Sequence, residues 1–140
     1  LRFLAGFLIK QALALLACAL LAACSKSVAT ESTGQEVTWN RLPPLPDKHG
    51  FAGGFAGVSH GSLLFAGGAN FPDAPPWEGG KKVWYDSIFV LHAAEGPWKK
   101  LEQSLPGPLA YGVSVTHNDK LLCIGGDDGK KAFADVFSVE

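Results

Sequence analysis

Methionine is absent from the 140 residues, cysteine occurs only three times, and neither sign of charge prevails. Three cysteines cannot make a disulfide framework. The net charge is −1, and the 117 residues after position 23 carry 10 basic against 13 acidic side chains. The basic face that a nucleic-acid partner requires is therefore missing. No uninterrupted apolar run approaches the roughly 20 residues that a bilayer-crossing helix needs. The four histidines, His49, His60, His92 and His117, include no pair at a spacing such as His-x-x-x-His. Zinc is not expected, nor any other metal or cofactor. Glycine and proline together make up 26 positions. That density excludes long helices after about residue 50, while the apolar content of 47% argues against disorder.

What is present begins with an export signal. Arg2 and Lys10 are the only charges before position 24, and 12 apolar residues follow over 12–23. A short apolar run with a basic start and a small-residue end is the pattern of a secretory signal. Its end, Leu21-Ala22-Ala23-Cys24, is similar to the bacterial lipobox, in which the cysteine thiol receives a lipid before cleavage. On that reading residues 1–23 are a lipoprotein signal peptide and Cys24 is the lipidation site. The protein is then exported and lipid-anchored, facing the periplasm, with the membrane as partner through the anchor alone. The alternative is a plain cleaved signal with an incidental cysteine. Cys18, after the poorer copy Leu15-Leu16-Ala17, is a bystander. Residues 24–36 are small and polar without apolar period, the composition of a flexible tether.

The remaining region, 37–140, is one unit written twice. Gly57-Val58-Ser59 matches Gly112-Val113-Ser114 at 55 positions, and the apolar run ending in Gly67-Gly68 matches the one ending in Gly125-Gly126 at 58. The run opened by Asp86 matches the run opened by Asp135 at 49, and Trp39-Asn40-Arg41-Leu42 matches Trp98-Lys99-Lys100-Leu101. Each copy predicts an antiparallel sheet. Strands are expected over 54–59, 62–66, 87–92 and 98–101, then over 111–116, 120–124 and 136–139. The paired glycines permit positive φ where the chain leaves strand two. Trp98 supplies an apolar anchor on the outer strand. Asp86 and Asp135, opening strand three in both copies, are expected to bond backbone amides.

This order of apolar run, Gly-Gly, Asp and Trp at about 50 residues resembles the kelch repeat, one β-propeller blade per copy. The expected class is therefore all-β: a blade over 50–102, an incomplete blade over 105–140, and a stray outer strand at 37–42. A propeller closes with about four to eight blades. These residues are thus expected to be a fragment of a longer ring, whose last blade the stray strand completes.

The longer runs are more specific. Gly50-Phe51-Ala52-Gly53-Gly54-Phe55-Ala56-Gly57-Val58-Ser59, Phe65-Ala66-Gly67-Gly68-Ala69-Asn70-Phe71-Pro72-Asp73, Gly79-Gly80-Lys81-Lys82-Val83-Trp84-Tyr85-Asp86 and Ala110-Tyr111-Gly112-Val113-Ser114 resemble the N-acetylneuraminate epimerases. These are kelch-type sialic acid mutarotases, and the position just after the signal is similar to their cyclically permuted branch. The resemblance implies a carbohydrate isomerase converting the α anomer of a sialic acid to the β anomer, without metal or nucleotide. The carboxylate and Arg of the family map onto no residue here, so the catalytic residues are unassigned and the fragment is expected to be inactive alone. A non-catalytic kelch module binding a glycan or protein at the cell surface is the alternative. A copper radical oxidase of the same fold would need ligands and a Tyr–Cys crosslink that Tyr85, Tyr111 and the cysteines do not supply.

In an antiparallel blade the loops 43–51, 69–85, 102–109 and 127–134 leave from one rim. The long loop 69–85 keeps its own polar and aromatic residues, as functional loops do. A small sialic-acid-like sugar is the expected partner, with Asn70, Asp73, Lys81, Lys82, Trp84 and Tyr111 as candidate contacts. For Asp73 and the lysines the competing reading is a stiff, solvated loop, and for Tyr111 it is packing between blades. Cys123 reads as a buried small residue, and Asp127-Asp128-Gly129 as a turn rather than a calcium loop.

Overall fold

The structure is a computed structural model that describes residues 37–140. The expected signal, the tether and Cys24 lie outside the described residues. All strands fall within Asn40–Glu140. The first sheet is antiparallel and contains β1 (Phe55–Ser59), β2 (Ser62–Ala66), β5 (Ser87–Leu91) and β6 (Lys99–Ser104), in the order β1-β2-β5-β6. The second contains β7 (Val113–His117), β8 (Lys120–Ile124) and β9 (Val136–Val139), in the order β7-β8-β9. β3 (Ala69–Asn70) and β4 (Val83–Trp84) pair with each other inside the long loop. This small sheet was not foreseen, because two-residue strands carry no readable alternation.

The first hairpin turns through His60 and Gly61, with φ 47 and 74, and the second through Asn118 and Asp119, with φ 48 and 57. Two consecutive positive φ values give the turn twist that matches the right-handed twist of the strands. The two tips are tied together, since the Ser59 hydroxyl donates to the Asp119 carbonyl at 2.7 Å.

Strand register corrects two of the repeat matches. Phe55 faces Ala66 in the first sheet and Val113 faces Ile124 in the second, so β1 and β7 are related by 58 residues, as β2 and β8 are. Gly54 therefore corresponds to Gly112, and Gly53 to Tyr111. The 55-residue match of Gly-Val-Ser triplets was a coincidence of composition. Ala66 faces Ile88 and Ile124 faces Val136, which sets Asp135 opposite Ser87 in the comparison rather than Asp86. Among the described residues the expected amide bonds from the aspartate side chains are not made either. It is the main-chain carbonyls that act: Asp86 O accepts from Leu105 N and Asp135 O from Gly125 N.

The core joins both sheets: Phe55, Leu64, Ala66, Ile88, Val90, Leu105 and Leu109 pack with Leu121 and Cys123. All five residues of β5 are buried, whereas β6 is largely exposed, as befits an outer strand. The sheets meet along β1 and β7, where a side chain on Gly57 or Gly112 would collide. A Cβ on Gly112 would lie 2.5 Å from the Phe55 ring. Edge groups of β1 are satisfied by hydroxyls instead of a strand. Ala56 N–H donates to Ser114 Oγ at 3.1 Å, Ser114 Oγ donates to Ala56 O at 3.0 Å, and Val58 N–H donates to Thr116 Oγ1 at 2.8 Å. Among the glycine pairs, Gly67 shows why no other residue fits: φ is 66 and a Cβ would run into the Leu109 carbonyl. Gly68, Gly125 and Gly126 share its positive φ.

Trp98 precedes β6 and its indole N–H donates to the Pro43 carbonyl at 2.9 Å, tying the incoming chain to the outer strand. Residues 37–42, expected as a strand, pair with none among the described residues, and Trp39 is 92% exposed.

Candidate functional site

A cavity of about 620 Å³ opens where three segments converge: the stretch before β1, the long loop between β2 and β5, and the start of the second repeat. Its wall includes His49, Asn70, Phe71, Asp73, Lys82 and Tyr111. Four of the six candidate contacts thus come together from positions far apart in the chain.

Asn70 holds the wall in shape. It is 8% exposed, and its amide donates to Asp47 Oδ1 at 3.1 Å and to the Gly50 carbonyl at 2.8 Å, while its oxygen accepts from Tyr85 Oη at 2.8 Å. Both protons of the amide are engaged, so Asn70 fixes the loop at the cavity wall. Tyr85 is held above the usual phenol range, first by burial and then by the nearby Asp47 and Asp73 carboxylates. Phe65, Tyr85 and Phe89 pack around Phe51 at the cavity, tilted or edge-on, with ring centroids 5.1–5.9 Å from its own. An aromatic cluster of this kind keeps the loops rigid.

Lys82 reaches over that wall. Its Nζ donates to Tyr111 Oη at 3.0 Å and stands 4.8 Å from the Tyr111 ring centroid, with Phe71 and Trp84 each at 5.5 Å. Tyr111 carries a backbone φ of 63, matching the φ of 64 at Gly53 in the first repeat. The remaining two candidates, Lys81 and Trp84, are not part of the cavity wall. Lys81 is exposed and lines no part of the cavity. Trp84 packs over Gly129 in the second repeat, with its Nε1 buried and without a partner among the described residues.

His49 and Phe71 line the cavity, and Asp47 braces it, without having been singled out in the sequence. Their signal was present only as an Asx turn, in which Asp47 Oδ1 accepts the His49 amide at 2.8 Å. A second hollow of about 420 Å³ lies beside β9, lined by Pro106, Leu109, Phe133 and Phe137, with Asp128 and Asp135 at its edge. Asp128 is held below the usual carboxylate range by the amides of Lys131 and Lys130. Burial pushes the Cys123 thiol up to about 11. Among the described residues no three His, Cys, Asp or Glu side chains converge as a metal site.

Two repeats of antiparallel strands, meeting at their first strands with their long loops on one rim, are blades of a kelch-type β-propeller. The solved structure of YjhT matches with a TM-score of 0.64 and 39% identity, over 76% of this chain and 32% of that one. The family model for N-acetylneuraminate epimerase matches residues 19–140, and the chain belongs to that family. It is 42% identical over 113 residues to the N-acetylneuraminate epimerases of Escherichia coli O157:H7 and of E. coli strain K12. The same identity holds for the Shigella flexneri protein of that name. Each match takes in 74% of this chain, which spans about 30% of the length of these curated relatives.

Proposed function

We propose that these blades belong to a sialic acid mutarotase that interconverts the α and β anomers of N-acetylneuraminate. The observation that carries the proposal is the family match over 19–140 together with a polar, aromatic cavity on the loop rim. The reaction opens a hemiketal. A base takes the proton of the anomeric hydroxyl while an acid protonates the ring oxygen, giving the open-chain ketone. Rotation presents the other carbonyl face, and reclosure exchanges the two roles. Within this chain the cavity binds and orients the sugar, while the acid and base come from the other blades of the ring. Two blades form one sector of the ring's mouth and are inactive without the rest. The test is anomer exchange on the full-length protein, followed by NMR from an α-enriched sample. Faster decay of the α signal than in buffer is expected; an unchanged rate overturns the proposal. Binding of the sugar without faster exchange would instead mark a glycan-binding module.

We further propose export and anchoring through lipid on Cys24, supported by the basic start, the 12-residue apolar run and the Leu21-Ala22-Ala23-Cys24 motif. Metabolic labelling with a fatty acid should mark the protein and fail with Cys24→Ala. Equal labelling of that variant overturns the assignment.

A further inference from the structure

We propose that Lys82 and Tyr111 form a two-donor clamp for the carboxylate of a sugar acid. The identity of the sugar rests on the mutarotase reading, whereas the clamp rests on the geometry alone. An ammonium has no lone pair, so in the 3.0 Å contact Lys82 Nζ donates and Tyr111 Oη accepts. The phenolic proton is then left for another partner, and so are the remaining ammonium protons. Two adjacent groups therefore offer donors at a spacing that lets each take one oxygen of a single carboxylate.

The charge is held but not neutralised. The rings of Tyr111, Phe71 and Trp84 surround Nζ at 4.8–5.5 Å and attract the cation through their faces. Among the described residues the one ion pair is Lys120 with Glu140, so no carboxylate among them answers Lys82. Asp73 on the same cavity wall leaves an acceptor for sugar hydroxyls. Asn70 offers the carboxylate no competing donor, since both its amide protons are engaged within the wall.

The backbone adds an independent observation. Tyr111 adopts φ 63 at the place where the first repeat has Gly53 at φ 64. A bulky side chain in the left-handed region is strained, and such strain persists where a site requires it. Glycine would relieve the strain and remove the phenol. The second repeat keeps the phenol, and it keeps it in contact with Lys82 of the first.

The test measures binding of N-acetylneuraminate and of its uncharged methyl ester to the full-length protein by titration calorimetry. A charge-assisted contact of this kind predicts a preference for the acid of about tenfold or more. Lys82→Met is expected to abolish that preference and Tyr111→Phe, which keeps the ring, to reduce it several-fold. Lys100→Met on the exposed outer strand removes an equal charge and should leave the preference intact. Near-ultraviolet circular dichroism reports folding for each variant, and Tyr111→Phe decides alone should Lys82→Met misfold. Folded variants that keep the wild-type preference overturn the clamp, and so does a wild-type protein that binds neither ligand. Loss of preference in the variants without any wild-type anomer exchange leaves the clamp standing and removes the mutarotase reading.

Discussion

Replacing Asn70 with aspartate changes one nitrogen to oxygen and leaves the shape intact, yet it strikes the joint on which the cavity wall turns. The amide nitrogen lies 3.1 Å from Asp47 Oδ1 and 2.8 Å from the Gly50 carbonyl, both acceptors. An ionised carboxylate there loses two hydrogen bonds and sets oxygen against oxygen. A bond between neutral partners contributes about 1 kcal/mol and one to a charged group about 1.5–3 kcal/mol. The stretch 47–52 should therefore open more easily by about 3 kcal/mol. Hydrogen exchange at Ala52, whose amide donates to the Ala69 carbonyl at 2.8 Å, reads this directly. A loss of about 3 kcal/mol corresponds to a protection factor lower by roughly 100-fold. The sign with pH is set by the new group. Asp47 and burial raise its folded pKa above the unfolded value, so the protonated form, with its single O–H, restores one of the two bonds at low pH. Protection relative to wild type should be highest near pH 4 and fall as pH rises to about 7. Protection within about threefold of wild type at neutral pH, where 3 kcal/mol would show as roughly 100-fold, refutes the reasoning.

Other consequences are equally checkable. Phe55→Ala empties a fully buried site between the sheets and should lower stability by about 3–5 kcal/mol in urea unfolding; a change under 1 kcal/mol would mean the sheets do not share this core. Cys123, with its thiol pushed up to about 11 against an ordinary 9.0, keeps its proton folded while the unfolded chain loses it. Stability is then full below about pH 9 and falls by about 2 kcal/mol at most as pH rises to 11, a slope that Cys123→Ala should remove. Asp128, lowered by the amides of Lys131 and Lys130, supports its turn above the ordinary carboxylate range and releases it as pH falls through the lowered value. Asp128→Ala should leave the Lys130 amide exchanging quickly at every pH.

The all-β plan was legible because its signals are local. The bounds of β2, β8 and β9 matched those expected from apolar runs ending in Gly-Gly or opened by Asp, and the His60-Gly61 turn lay where positive φ is tolerated. The long loop 69–85, with Asp73 and Lys82, was likewise marked by its length and residue types. Register was not legible: Gly57-Val58-Ser59 and Gly112-Val113-Ser114 look alike, but only cross-strand pairing shows that Gly112 answers Gly54 and Tyr111 answers Gly53. Nor could a list of polar residues separate Asn70, whose amide protons are engaged inside the wall, from Lys82, whose charge meets no carboxylate among the described residues. Turns and alternating strands are decided by a few neighbouring residues. Which donors are satisfied and which remain for a ligand is decided by groups 20–30 residues apart that only packing brings within 3 Å of each other.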